Sequence, residues 1–335
     1  MALPALRRLR AELPNAHLAV LAVPGVAGLY ARESWVNQII LLEGERGARD
    51  WKRKWRQASQ LAASGFDAAI LLPNSFESAA LVRAAGIPQR IGYGRDARGW
   101  LLTRAIPVPR RGEIPLHESF YYLELLRRAG LGGALPSGEM VIRLEGLEAT
   151  RSSGSARLAS AGLAGAAVVG LSPGAEYGSA KRWLPERFAA AGAALASEWS
   201  GGAVAVFGTA RERPLCEEVT AMVATKGVLA RNLAGQTKLT EFIEMTAACR
   251  VVITNDSGAM HIASALGVPT VSVFGATDHI GTGPTGPLAR IVRHAVDCSP
   301  YPHPCLLRDC PIDHRCMKAV TAGEVTRTAL DLLKQ

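Results

Sequence analysis

Two strand-to-loop exits in the second half of the chain carry residue types that suit a phosphorylated ligand. The segment SPGAEYGSAKRW (residues 172–183) leaves an apolar run and turns on Gly174 and Gly178, which let the backbone bend sharply and approach a ligand closely. Lys181 and Arg182 then set cations just ahead of a helix that starts near Pro185. A cation beside a helix N-terminus is a natural diphosphate site. The second exit is TNDSGAMHIA (254–263), where a strand ends at Asn255 and Asp256 and a helix opens at Ser257 and Gly258. The first amides of that helix lack intrahelical partners and lie at its positive end, an anion cradle. His261 on the first turn is placed to donate to a phosphate oxygen, and Asp256 to accept from sugar hydroxyls. Asp256 or Ser257 also suits a plain helix cap, a role compatible with ligand binding.

A third exit, FGATDHIGTGPTGP (274–287), offers Thr277, Asp278 and Thr282 in a stretch whose glycines and prolines oppose helix, and reads as a loop closing over a base or sugar. In the first half, LPNSFESA (72–79) is a strand exit with Asn74 and Ser75 at a helix start. Arg90, Arg95, Arg98 and Arg104 follow closely; Asn74, Ser75, Arg90 and Arg95 are the candidates for an acceptor bearing carboxylate and phosphate groups. Near the C-terminus Cys298, Cys305, Cys310 and Cys316 crowd together with His294, His303 and His314. These are zinc donors by type, but no CxxC pair is present. Reduced, packed thiols come first, structural zinc on the four cysteines second, and disulfides last. Cys216 and Cys249 stand alone and read as small buried residues.

Positioning these exits requires alternating strands and helices. Expected strands are HLAVLAV (17–23), NQIILLE (37–43), FDAAILL (66–72), RIGYG (90–94), MVIRLEG (140–146), AAVVGLSPG (166–174), GAVAVFG (202–208), a short one in VLARNLAG (228–235), VVIT at 251–254 and TVSVFG (270–275). Helices fall at the N-terminus, around 50–65, from Ser75 to Ala85, up to Gly130, from Pro185 to Trp199, from Glu212 to Ala224, over 239–249 and up to Leu266. Strand–helix alternation means βαβ units and mostly parallel sheets. A chain of 335 residues suits two such domains. Turn formers in LGGALPSGEM and the small polar stretch after it place the boundary near residue 150, giving 1–150 and 151–335 as Rossmann-like domains facing across a cleft.

Apolar residues make up 48% of the chain but no run reaches the roughly 18 residues that span a bilayer. The basic N-terminal helix is not a secretory signal, so a cytoplasmic protein is expected. The net charge of +9 favours an anionic partner. Nucleic acid is not expected, since no zinc-finger spacing or RNA-binding aromatic signature occurs. A nicotinamide dehydrogenase is disfavoured because no GxGxxG follows an early strand.

SPGAEYGSAKRW, the long run RNLAGQTKLTEFIEMTAACRVVITNDSGAMHIASALGVPTVSVFG, the wording at 72–88 and the Cys-rich CSPYPHPCLLRDCPIDHRCM together resemble the ADP-heptose–lipopolysaccharide heptosyltransferases (glycosyltransferase family 9), nearest to the heptosyltransferase II branch. The resemblance implies a GT-B fold: the C-terminal domain holds ADP-heptose and the N-terminal domain a Kdo–lipid A core whose first heptose is the acceptor. It implies inverting transfer with no cofactor and no catalytic metal, at the inner face of the cytoplasmic membrane. Lys181 would contact the diphosphate and Asp256 the heptose, with Ser257, Gly258 and His261 lining the site. One departure stands out. The family begins with a strand and a Gly-Asp-x-x-M loop whose Asp is the general base; here Met1 falls inside that pattern, so the first strand and the base are expected upstream of Met1, and the catalytic base has no number in this sequence. Another acceptor within the family, or a nucleotide-sugar-binding protein with impaired catalysis, are the alternatives.

Overall fold

The computed structural model describes residues 1–42, 51–138, 140–300 and 304–335. The chain divides into two units, Met1–Gly138 and Glu139–Gln335. In the first, chain order is α1 (Leu3–Glu12), β1 (Ala19–Ala22), α2 (Pro24–Ala27), β2 (Gln38–Leu41), α3 (Trp51–Ala63), β3 (Ala68–Leu71), α4 (Phe76–Ala84), β4 (Gln89–Tyr93), β5 (Arg104–Ile106) and α5 (Glu118–Arg128). All pairings are parallel, but among the described residues the strands form two separate sheets, β1–β2 and β3–β4–β5. Leu21 of β1 and Ile40 of β2 pack against the apolar cluster that holds Leu71, Val82 and Leu101. Helix α4 starts where the Ser75 hydroxyl accepts from the Ser78 amide, and α5 ends at Gly130, whose φ of 65° suits a residue without Cβ.

The second unit continues with α6 (Leu147–Leu158), β6 (Ala167–Ser172), α7 (Pro185–Ala196), β7 (Gly202–Val206), α8 (Arg213–Ala224), β8 (Leu229–Asn232), α9 (Leu239–Ala247), β9 (Val251–Asn255), α10 (Gly258–Ala265), β10 (Thr270–Val273), β11 (Ala289–Val292), α11 (Arg315–Ala319) and α12 (Ala322–Leu333). Its six strands make one parallel sheet in the order β11-β10-β9-β6-β7-β8. Strands β9 and β10 are buried throughout, which is why they read as unbroken apolar runs rather than alternating ones. The chain winds outward one way through β7 and β8, and the other way through β10 and β11. The direction switches between β6 and β9, and ligands of open parallel sheets bind at the carboxyl ends of the strands flanking such a switch. The core on one face is built from Leu171, Phe188, Leu195, Val219, Ile253 and Leu332.

Two expectations need correction. The boundary near residue 150 falls inside α6, not between domains. The small residues read there as a linker are a packing device: α6 crosses α9 at Gly154, where a Cβ would meet the Glu244 carbonyl oxygen at 1.9 Å. The strand expected at 140–146 does not form a ladder. Its amides are held singly, Ile142 N–H by the Thr285 hydroxyl at 3.0 Å and Leu144 N–H by the Ala265 carbonyl at 2.9 Å. Strands β5 and β11 and helix α12 were not anticipated.

Gly154→Ala is therefore expected to force α6 and α9 apart and cost about 1–3 kcal/mol. A shift of the urea unfolding midpoint measures it, and an unchanged midpoint would contradict the close crossing.

Candidate active site

The loops after β6 and β9, on either side of the switch, are joined by a buried amide. Asn255 closes β9 with no exposed surface. Its Oδ1 accepts from the Trp183 amide at 2.9 Å, and its Nδ2 donates to the Pro173 carbonyl at 2.7 Å and to that of Gly174 at 3.4 Å. One side chain thus staples both ends of the 173–183 loop to the strand, and the loop presents Lys181 to the next residue, Asp256. Lys181 Nζ lies 2.6 Å from Asp256 Oδ2. The Thr277 hydroxyl, from the loop after β10, donates to the same oxygen at 2.6 Å. Three loops far apart in sequence converge on one carboxylate whose side chain is 6% exposed.

Asp256 Oδ1 makes no hydrogen bond to a described residue, so one acceptor oxygen stays available. Two protons of the Lys181 ammonium are also uncommitted to a carboxylate. The ammonium lies 4.7 Å from the centre of the Tyr177 ring, whose hydroxyl donates to the Leu306 carbonyl at 2.9 Å. The α10 helix begins beside this group. Ser257 is its N-cap but its side chain caps no amide, pairing instead with the Thr254 hydroxyl at 3.1 Å. A Cβ added at Gly258 would meet nothing within 4 Å. Uncapped amides at a helix head, a free carboxylate oxygen, an ammonium and open space can hold a phosphate and a neighbouring hydroxyl. His261 sits half-buried one turn into α10.

The structure thus brings Lys181, Asp256, Ser257, Gly258, His261 and Thr277 onto neighbouring elements of one site. Gly174 has another reason to be glycine: a Cβ would lie 2.0 Å from Glu212 Oε1, whose carboxylate caps Thr209. Its missing side chain makes room for protein, not for a ligand. Gly178 similarly underlies the Arg308 carbonyl, 2.1 Å from an added Cβ. The sequence marked the segment around Arg308 for its cysteines and not as a neighbour of the 173–183 loop. There Asp309 accepts from the Ser179 amide at 3.2 Å and its hydroxyl at 3.0 Å, and these bonds hold the Asp309 carboxyl below its ordinary range.

Among the described residues of the cysteine region, no three Cys, His, Asp or Glu side chains stand where they could hold an ion. His303 lies outside the described residues. Cys298, Cys305, Cys310 and Cys316 are free thiols, and Cys316 is packed against Gly275, its thiol pushed up by burial.

In the first unit, Asn74 Nδ2 donates to the Tyr121 hydroxyl at 3.0 Å, and Arg95 pairs with Asp96 at 3.4 Å. Ser75 is spent on capping α4. Arg90 is spent on backbone: its guanidinium donates to the carbonyls of Leu101, Ile87 and Pro88, tying the Gly99–Leu101 turn to β4, so it is not free for an acceptor. Arg98, grouped with it in the sequence, is fully buried and clamps the 73–75 exit through Pro73, Ser75 and Asn74. Burial pushes the Arg98 guanidinium down from its ordinary range.

Two parallel α/β units in one chain, the second with an uncapped helix head at its topological switch, match the architecture of GT-B proteins. The sequence profile of glycosyltransferase family 9 (heptosyltransferase) matches residues 54–311. The chain is 31% identical over 289 residues to lipopolysaccharide heptosyltransferase 2 of Salmonella typhimurium, covering 86% of this chain and 82% of that one. Among solved structures, Escherichia coli ADP-heptose lps heptosyltransferase II superposes with a TM-score of 0.82 at 28% identity, covering 100% of this chain and 94% of that one. Escherichia coli heptosyltransferase WaaC with ADP shares the fold, with a TM-score of 0.74 at 18% identity over 99% of this chain and 95% of that one. The chain belongs to glycosyltransferase family 9, the heptosyltransferases.

Removing the cation from a carboxylate this buried is costly. Lys181→Ala is expected to lower stability by about 3 kcal/mol, read as a drop in the denaturant midpoint at neutral pH. A midpoint equal to that of the parent would mean that the ion pair does not form.

Proposed function

We propose that the chain transfers heptose from ADP-heptose to the first heptose of a lipopolysaccharide inner core, with inversion and without a catalytic metal. The observation that carries this reading is the convergence of Lys181 and Thr277 on Asp256 beside the uncapped head of α10. The names of the relatives supply heptose, ADP-heptose and lipopolysaccharide, and the resemblance to the heptosyltransferase II branch supplies the first heptose as acceptor. In this reading the first amides of α10 and the Lys181 ammonium hold the diphosphate. As the bond from the anomeric carbon to the phosphate oxygen breaks, negative charge builds on that oxygen, where a fixed ammonium and a helix dipole stabilise it without reorganisation. Asp256 Oδ1 accepts from the sugar hydroxyls and fixes the ring. Thr277 and Lys181 keep that carboxylate in one rotamer.

The test is release of ADP from ADP-heptose with two acceptors, a Kdo–lipid A core that carries the first heptose and one that lacks it. Turnover is expected only with the former, and Asp256→Asn should reduce kcat about a hundredfold. Turnover with the heptose-free core would assign a different acceptor, and ADP-heptose binding without transfer would favour a binding protein. Gly258→Ala should leave the fold at least as stable, because alanine is the better helix former and meets no protein atom. The same change should weaken ADP at least about tenfold, about 1.4 kcal/mol, by calorimetry. Unchanged affinity would remove the helix head from the site.

We also place the enzyme at an anionic membrane face through its first unit. No helix among the described residues is long and apolar enough to cross a membrane. Yet α3, α4 and the turn after Arg98 expose Trp55 (58%), Phe76 (46%) and Trp100 (65%). The Phe76 and Trp100 rings meet at a tilt of 53° with centroids 6.1 Å apart, Arg83 lies 5.5 Å from the centre of the Trp100 ring, and the Lys54–Glu77 pair links α3 to α4 at 2.8 Å. Aromatic rings beside cations suit the headgroup region. Trp55→Ala with Trp100→Ala should cut cosedimentation with phosphatidylglycerol vesicles several-fold. Equal binding to phosphatidylcholine vesicles would defeat the electrostatic part of the reading.

A further inference from the structure

The cysteine-rich segment touches both of the loops that deliver partners to Asp256. The first is the turn that carries Lys181. Its opening amides are turned outward to the segment: Ser179 N–H donates to Asp309 Oδ1 at 3.2 Å, and Ala180 N–H to the Arg308 carbonyl at 3.2 Å. The Tyr177 hydroxyl donates to the Leu306 carbonyl, which fixes the ring that faces the Lys181 ammonium. The second is the loop that carries Thr277. Leu306 N–H donates to the carbonyl of Ala276, the residue before Thr277, at 2.6 Å. Ser299, out of contact with water, joins the segment to the same loop. Its hydroxyl donates to the Gly275 carbonyl at 3.0 Å and accepts from the Cys305 amide at 3.3 Å.

Leu306 stands where the two sets of bonds meet. Its φ is 57°, in the left-handed region that a residue with Cβ enters only at an energetic cost. Burial of the side chain does not explain that conformation, since the residue is 56% exposed. The main chain does. Its N–H points to the Thr277 loop and its C=O to Tyr177, so one residue's backbone spans from one loop to the other. Such a conformation persists where the surroundings over-determine it. The requirement for it comes from Lys181. A lysine stem has four rotatable bonds, so its ammonium is fixed only as well as the turn beneath it. A misplacement of about 1 Å in a group that stabilises developing charge costs up to about a hundredfold in rate.

We infer that residues 305–309 are a clip that sets Lys181 and Thr277 on Asp256, with Asp309 as the positioning residue for Lys181 and Leu306 as the joint between the two loops. The clip acts through Lys181 and Thr277 rather than on the ligand. This assignment rests on the diphosphate reading of Lys181 given above and adds to it what holds the ammonium in place.

The experiment uses the full chain and two matched pairs of variants. Leu306→Ile keeps the side-chain atoms but sets a branched Cβ against the left-handed backbone, whereas Leu306→Gly admits that backbone freely. Asp309→Ala removes the acceptor of the Ser179 amide and hydroxyl, whereas Asp309→Asn keeps an acceptor oxygen there. ADP affinity is measured by calorimetry. Leu306→Ile and Asp309→Ala should each weaken ADP about fivefold, about 1 kcal/mol, while the Gly and Asn variants stay within about twofold of the parent. Combined with Lys181→Ala, Asp309→Ala should cost no further affinity, because its effect passes through the ammonium. The same fivefold loss in that background overturns the role of Asp309. A uniform loss in all four variants reports damage to the segment at large and overturns the clip. Hydrogen exchange followed by NMR reads the clip without ligand. The Ser179 and Ala180 amides should be protected in the parent and exchange at least about tenfold faster in the Ile and Ala variants, but not in the Gly and Asn variants. If the parent binds no ADP, the diphosphate reading fails and exchange alone decides on the clip; it decides equally if Lys181→Ala does not fold. Amides that exchange freely in the parent, or variants that match it in both measurements, reject the clip.

Discussion

A carboxylate that is almost entirely out of water needs a cation and a hydroxyl delivered to it, and in this chain they come from two different loops. Asp256 is adjacent to Asn255, and the pairing of these neighbours organises the carboxyl end of the sheet in the second unit. Asn255 turns inward and spends both ends of its amide on the 173–183 loop. Asp256 turns toward the head of α10 and receives Lys181 from that same loop. The staple comes first in the physical order. A lysine side chain loses considerable rotamer freedom on being fixed, and a backbone already pinned at Pro173, Gly174 and Trp183 leaves less of the chain to be ordered. The ion pair repays its desolvation only because its geometry is set in this way.

The same logic explains the glycines. Gly174 and Gly178 sit in the loop that reaches the site, and both give way to protein, to Glu212 and to the Arg308 carbonyl. Gly258 faces open space at a helix head. Sequence treats all three alike, since each is a glycine in a loop or at a helix start. Only the atoms around them separate a glycine that admits a neighbouring segment from one that leaves room for something else.

The two units divide their labour by charge. The second is nearly balanced, and its cations are paired locally, Lys181 with Asp256 and Arg157 with Glu241 and Glu244. The first carries the excess. Its buried Arg98 donates to the carbonyl oxygens of Tyr93 and Ser75 and to Asn74 Oδ1 rather than to a carboxylate, so its charge is not cancelled locally.

Much was legible in the residues themselves. The alternation of apolar runs and helices located nearly every strand of the second unit, because strands buried on both faces must be apolar throughout. Residues 254–258 announced a strand running into a helix, whose head amides lack partners within the helix; that the Ser257 side chain caps none of them is visible only in the structure. Resemblance named the family from the same stretches. The tertiary structure alone decided the rest. It made a helix of the small residues around Gly154, since closeness to α9 is a property of two segments rather than one. It took Arg90 and Arg98 out of the candidate acceptor surface and left Arg95, because a guanidinium reads the same in sequence whether it faces solvent or a ring of carbonyls. It tied Asp309 to Ser179 across 130 positions of chain, a contact that no local pattern encodes. Local sequence determines which groups lack partners within their own element; folding alone determines which of those groups find partners elsewhere in the chain.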